Sequence, residues 1–423
     1  MSKFIFESYA FVLSTRRATF RYRYSDGRRF EENVTFEVAE NYDKEALDAA
    51  LFLAFMLIGT SYIKTFLATE IVFEAGVLDE WQSNFLNKVY QEGLGQYAYE
   101  NGLTREDLPH FKATVDSSPS TANYDGEGIL LLQSGGKDSL LLAAMLDERE
   151  QDYTPCYVAN SQHHPQVLDS LSRPLVLPNR EIDHKALKRA LDDGGKNGHV
   201  PVTYIVKSLA LIEAILLGKQ TVLTAIAQEG EEPHVIIGDL AVTHQWSKTW
   251  LAERLFSEYV NRYVARSFRI GSPLRQFSEL RVAELFVTHA WDRFARVFSS
   301  CNRANYAQGA DNSELSWCGE CPKCANAYLL FSAFVEPAEL SDIFSGKDLF
   351  SAPSLQETFK GLLGIDGAMK PFECVGGVDE LRTAYHLAQK NGYSSLPFEV
   401  PEASFDYRKE YDTQDWALQL LRT

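Results

Sequence analysis

The chain has 423 residues, 45% hydrophobic and 23% charged, enough for two or three packed cores and too well mixed in composition for a disordered protein. Its 41 basic and 58 acidic residues leave a net charge of −17, which argues against a nucleic-acid partner, because RNA or duplex binding draws most of its affinity from Lys and Arg on phosphates. The start, MSKFIFESYAFVL, lacks the basic region and cleavage site of a signal peptide. No later apolar stretch is expected to approach membrane-spanning length, so a cytoplasmic protein with no membrane partner is expected.

From Phe4 to Val38 apolar and polar residues alternate, with Phe20, Tyr22 and Tyr24 on one face and Val34 and Phe36 beyond Asp26-Gly27. This pattern predicts antiparallel strands joined by a tight hairpin. The segment EALDAALFLAFMLIGTSYIKTFL is apolar on nearly all sides, as in a buried helix, and helix-period segments follow from Glu80 to Tyr99. Thr114 to Gly128, rich in Ser, Asp, Asn and Thr, reads as a linker.

Beyond it the run GILLLQ, a Ser-Gly-Gly turn and LLLAAMLDERE form a strand–turn–helix unit. PCYVAN, TVLTAIA and HVIIGDL are further strand candidates, and VPVTYIVKSLALIEAILLG a long helix. Strands alternating with helices imply an α/β fold with a mostly parallel sheet and its ligand at the strands' carboxyl ends. The expected organisation is an N-terminal α+β domain over 1–118, a nucleotide-binding domain over 125–300 and a Cys-rich, mainly helical region over 301–423, ending in LRTAYHLAQKN and TQDWALQLL.

The turn between the first of these strands and its helix is Ser134-Gly135-Gly136-Lys137-Asp138-Ser139. Paired glycines let backbone N–H groups face an anion, and the helix adds its positive N-terminus. The two serines are candidate hydroxyl donors, and Asp138 a turn organiser or Mg²⁺ ligand. Lys137 is either a phosphate contact or a solvated side chain. The order of residues is not that of a Walker A loop. It resembles the PP-loop ATP pyrophosphatases, which have an adenine nucleotide alpha hydrolase-like sheet flanked by helices. That likeness implies attack at the α-phosphorus of ATP, with AMP and diphosphate as products.

Of six cysteines, Cys301, Cys318, Cys321 and Cys324 are clustered, offering four soft ligands for tetrahedral Zn²⁺. A similar arrangement after a PP-loop domain occurs in 7-cyano-7-deazaguanine synthase. A closed four-ligand site leaves no position for substrate, so a structural role is expected. Cys156 and Cys374 read as buried or half-buried free thiols.

Between loop and cysteines, GGKNGHVPVT and THQWSKTW carry more reactive side chains than a core or loop needs. His199 precedes a long helix, and His244, Ser247 and Lys248 follow a strand candidate, where α/β active sites are built. Arg262, Arg266, Arg269, Arg275 and Arg281 form the densest basic run, readable as a diphosphate or carboxylate receptor or as a solvated helix face.

Taken in order behind SGGKDS, the blocks NGHVPVT, HQWSK, FSSCNRA, WCGECPKC and KPFECVG resemble the bacterial ATP-dependent UDP-N-acetylmuramoyl-L-alanyl-L-glutamate epimerase family. FIFESY, FRYRYSDGRRFEE and EGLGQYAYENGL extend the likeness to the N-terminal part. The family pattern carries an Asn- and Glu-rich stretch where this chain has TAIAQEGEEPHV, so Glu229 and its neighbours stand as lesser candidates. The resemblance implies inversion of the terminal L-glutamate of UDP-MurNAc-L-Ala-L-Glu, with ATP and Mg²⁺ as cofactors and His199, His244 and Lys248 as candidate proton-transfer groups. A PP-loop enzyme forming an amide, nitrile or thio group on a small metabolite is the competing expectation.

Overall fold

The computed structural model describes residues 2–68, 70–116, 121–160, 163–171, 173–305 and 313–421. The alternating N-terminal segment forms β1 (Lys3–Val12), β2 (Arg17–Tyr24) and β3 (Arg29–Thr35), with β4 (Glu70–Phe73) parallel to β1. Gly27, at a φ of 96°, turns β2 back on β3 where Asp26-Gly27 predicts a hairpin. Phe20, Tyr22 and Tyr24 are buried together, and the hydroxyls of Tyr22 and Tyr24 donate to the carbonyls of Phe55 and Ile63, both at 2.8 Å. Those carbonyls belong to the apolar stretch that follows, which forms a helix, Lys44–Ile58, with Asp43 accepting from the Ala46 amide at its N-terminus.

The span Lys44–Ile63, with 20 residues and a mean hydropathy of 1.8, is long and apolar enough to cross a membrane, contrary to the sequence expectation. In its most apolar 18-residue stretch, 83% is buried within the protein. Its apolar surface is used by the sheet on one side and by the helix Val202–Leu216 on the other.

A second sheet is built from β5 (Ile129–Leu132), β6 (Thr154–Cys156), β8 (Thr221–Leu223) and β11 (Arg269–Gly271) in the order β11-β8-β5-β6, all parallel. Two corrections to the strand expectations follow. HVIIGDL is not in this sheet. It turns at Gly238, φ 59°, so that β9 (Val235–Ile237) pairs antiparallel with β10 (Leu240–Val242). The fourth parallel strand comes instead from the basic run, at Arg269.

The strand β7 (Asn179–Glu181) leaves the middle of the chain to complete the N-terminal sheet beside β3. It brings Arg180, whose Nε donates to Glu32 Oε1 at 2.6 Å with both side chains buried. One core runs from Phe4 to Ile270, so residues on both sides of Thr114–Gly128 pack together. A second core joins the helix after β5 to the C-terminal helices, among them Pro322–Ser332 and Val378–Lys390.

Candidate active site

The chain leaves β5 at Leu132, turns through Gln133 to Gly136, and enters the helix Lys137–Glu148. Gly135 has a φ of 73°, and a Cβ there would stand 2.7 Å from Leu315 Cδ1, so both backbone and space require glycine. The Ser134 N–H donates to Ser139 Oγ at 3.2 Å, and the Gly136 N–H donates to Ser134 Oγ at 3.3 Å. No side chain caps the helix at Gly136, which leaves its first amides and its positive end facing a cavity. Lys137 is not solvated. It is buried between Asp138 and Glu279, 3.1 Å from Glu279 Oε2, and the two carboxylates hold its ammonium above the usual lysine range against the penalty of burial.

This loop cavity is lined by Ser134, Gly136, Lys137, Asp138 and Glu279, and by Lys323, Asn326 and Leu330 of the helix Pro322–Ser332. A second cavity adjoins it, lined by His234, His244, Lys370 and Glu373 among others. Glu229, Gln245, Lys248 and Cys374 line both, forming the wall between them.

Lys248 Nζ lies 3.0 Å from Glu229 Oε1. Burial opposes both charges, but Lys248 and Lys323 hold the Glu229 carboxyl below its ordinary range, and Glu229 holds the Lys248 ammonium above its own. The pair is positioned by Arg275, which is wholly buried and donates to the carbonyls of Ala227 at 2.5 Å and Lys248 at 2.7 Å. Arg275 therefore ties the two segments of the wall together, and is neither a ligand receptor nor a solvated side chain. The other four arginines do not gather around it: Arg281 pairs with Glu284, Arg269 is exposed on β11, and Arg262 and Arg266 line a separate open groove.

His199 and His244 come from segments 45 positions apart in the numbering, yet their rings stand 4.9 Å apart. Gln96 Oε1 lies 2.7 Å from His244 Nδ1, so this nitrogen carries the proton and Nε2 is left as the acceptor. Burial, reinforced by Lys64 and Lys248, pushes the His199 imidazole down to about 4. Burial, then His199 and Lys323, pushes His244 down to about 2. Both rings are neutral near pH 7. His244 lines the second cavity with Lys248; His199 stands behind it, its Nε2 buried without a hydrogen-bond partner.

The four clustered cysteines meet at one point. Their sulfurs lie within 4.8 Å of one another, with Cys301–Cys321 at 3.6 Å, Cys318–Cys324 at 3.7 Å and Cys321–Cys324 at 3.5 Å. A zinc ion 2.3 Å from each of four sulfurs would set these edges at about 3.8 Å. The amides of Gly319 and Ala304 point at Cys324 and Cys301 sulfur, both at 3.3 Å, as expected around thiolates. Donor set and spacing fit a structural metal. The cluster also anchors the cavity wall: Lys323 lies between two of the cysteines and donates to the Cys374 carbonyl at 2.7 Å.

Sequence reading passed over Cys374, Lys323 and Glu279. The signal for Cys374 was the KPFECVG block itself, and for Lys323 its place inside the cysteine motif. Glu279 stands at the start of the helix Glu279–His289 and has no motif to mark it.

The sequence profile of the MurL N-terminal domain matches residues 1–272, and that of the MurL C-terminal domain matches residues 297–400. A protein of Xanthomonas oryzae pv. oryzae named UDP-N-acetyl-alpha-D-muramoyl-L-alanyl-L-glutamate epimerase is 32% identical over 91% of this chain and 85% of its own. Proteins of the same name from Salinispora tropica, 32% identical over 94% and 87%, and from a Micromonospora species, 31% identical over 94% and 89%, are similar to it as well. With both profiles matched and such relatives aligned over most of its length, the chain belongs to the MurL family.

Proposed function

We propose that this protein inverts the Cα of the terminal L-glutamate in UDP-MurNAc-L-Ala-L-Glu, a peptidoglycan precursor, and that ATP is split to AMP and diphosphate to drive it. The substrate is the one in the relatives' name. What supports the ATP step is a single arrangement: the uncapped loop and the wall of titratable groups open on adjoining cavities, so a nucleotide on one side and a carboxylate on the other would meet at Glu229, Lys248 and Cys374.

The coupling has a chemical reason. Deprotonating a carbon beside a free carboxylate would build a dianion, which ordinary side-chain bases cannot reach. Conversion of that carboxylate to an acyl adenylate removes its charge and acidifies the neighbouring C–H. In this reading Ser134, Gly135, Gly136 and Ser139 hold the triphosphate through N–H and O–H donors, with Lys137 fixing Asp138 beside it. Mg²⁺ held by Asp138 would neutralise phosphate charge. His244 takes or returns the Cα proton, His199 excludes water behind it, and Lys248 places a positive charge where the enolate forms. The sheet order β11-β8-β5-β6, with the loop at the carboxyl end of a central strand, supports a PP-loop assignment. The four cysteines are assigned a structural zinc; elemental analysis finding well under one zinc per chain would remove it.

The test is incubation with ATP and UDP-MurNAc-L-Ala-L-Glu in deuterated water. D-Glutamate carrying deuterium at Cα, with AMP and diphosphate released, is expected. Product without deuterium would sink the deprotonation step, and inversion without ATP would sink the adenylation.

A further inference from the structure

We propose that Cys374 is the second proton-transfer group, delivering its thiol hydrogen to the face of Cα opposite His244. The inference rests on the activated-glutamate reading above and supplies the partner that an inversion needs. Removal of a proton from one face and return to the other is simplest with two groups, one on each side.

Four residues line both cavities, and chemistry separates them. Gln245 does not titrate. Glu229 and Lys248 are engaged with each other at 3.0 Å. Cys374 is a free thiol, and the backbone that follows it is held twice: its carbonyl accepts from Lys323, and Asn326 Oδ1 accepts from the Gly376 amide at 3.3 Å. The segment that carries the thiol is therefore held at the wall, and the sulfur takes no part in the cysteine cluster. An independent observation marks the loop side of the wall as a space meant for a polar ligand. Glu279 is 5% exposed, lines the loop cavity, and its Oε1 has no hydrogen-bond partner.

The resting protonation states set the direction of transfer, while the burial that keeps His244 neutral also opposes the imidazolium it must form. Burial keeps Cys374 a thiol, with Lys248 and Lys323 acting against it, and burial keeps His244 neutral. In the forward direction the Cα–H bond breaks, the proton joins His244 Nε2, and the bonding electrons pass into the enolate of the activated carboxyl. The Cys374 S–H bond then breaks as the new C–H bond forms on the other face. This leaves a thiolate near Lys248 and an imidazolium 4.0 Å from Glu373 Oε2. Loss of one proton to water from His244 and gain of one by Cys374 restore the starting state, so atoms and charge balance.

The two diastereomers of the substrate provide the test. With Cys374→Ala and UDP-MurNAc-L-Ala-L-Glu in deuterated water, epimerisation is expected to fall by at least about 100-fold, while deuterium still enters the L-substrate through His244. The D-glutamate diastereomer, whose Cα–H would face the missing thiol, is expected not to exchange. Cys374→Ser keeps the side chain's size and the same one-sided result is expected, so the test stands even where the alanine variant fails to fold. Diphosphate release is read alongside. Epimerisation within about tenfold of the unaltered protein, or loss of exchange from both diastereomers in the serine variant, overturns the assignment. Absence of deuterium in the unaltered protein's product is a different failure, that of the deprotonation reading, and takes this assignment with it.

Discussion

In the N-terminal sheet, Glu32 is fully buried and both of its oxygens are bonded: Oε1 to Arg180 Nε at 2.6 Å, Oε2 to Arg180 Nη2 at 3.2 Å and to the Tyr62 hydroxyl at 2.7 Å. At the cavities Glu279 is buried almost as deeply and its Oε2 meets Lys137, yet Oε1 is left without a partner. Burying a charge is costly in either place. The first arrangement satisfies every lone pair it can and joins β3 to β7. The second keeps bonding capacity facing a space, which a fold has no reason to do unless something else occupies it.

The largest expected effect is on the functional side. Asp138→Ala removes the carboxylate at the N-terminus of the loop helix, beside Lys137. Diphosphate release is expected to fall by about 100- to 1000-fold, the scale seen when a group that stabilises developing charge is deleted. Circular dichroism is expected to stay unchanged. A normal rate of release would end the assignment of this loop to ATP.

Next comes the stability of the sheet. Glu32→Ala strands the Arg180 charge inside the protein, at an expected cost of about 3–5 kcal/mol, read from urea unfolding. The matching change at the site, Glu279→Gln, is expected to cost much less, because Asp138 still faces Lys137 and one oxygen of Glu279 was never bonded. Equal costs for the two variants would break the comparison between them.

These two regions were legible in the sequence to different degrees. The form of the loop could be read because it is local: a strand, two glycines and a helix are consecutive. The hairpin at Asp26-Gly27 was legible for the same reason. His199, His244 and Lys248 were each proposed from position, but that the two imidazoles stand within ring contact depends on how the helix Val202–Leu216 packs against the segment after β10. The Glu32–Arg180 pair was invisible, since it joins residues 148 apart and Arg180 lies on a strand of only three residues. Arg275 misled, because a run of arginines looks like an anion site until tertiary packing turns one of them inward onto two carbonyls. HVIIGDL read as one strand, although Gly-Asp in its middle is itself a hairpin signal. Cys374 could be seen as part of a block and not as part of a wall, for the wall exists only once the cysteine-anchored helix is in place.

The smallest expected effect concerns acid. His199 in the folded protein titrates near 4, with burial as the first cause, whereas in the unfolded chain an imidazole titrates near about 6.5. Below that value the unfolded state binds a proton that the folded state refuses, so stability falls as pH falls through this window. For one such histidine the loss is about 1 kcal/mol between about pH 6.5 and 5.5. His244 contributes in the same sense, and Glu279, whose carboxyl burial pushes up, in the opposite one. The observable is therefore a difference: His199→Asn is expected to unfold with a shallower pH dependence than the parent over this interval, measured by urea titration at each pH. An unchanged slope would mean that His199 is already protonated in the folded state over this interval.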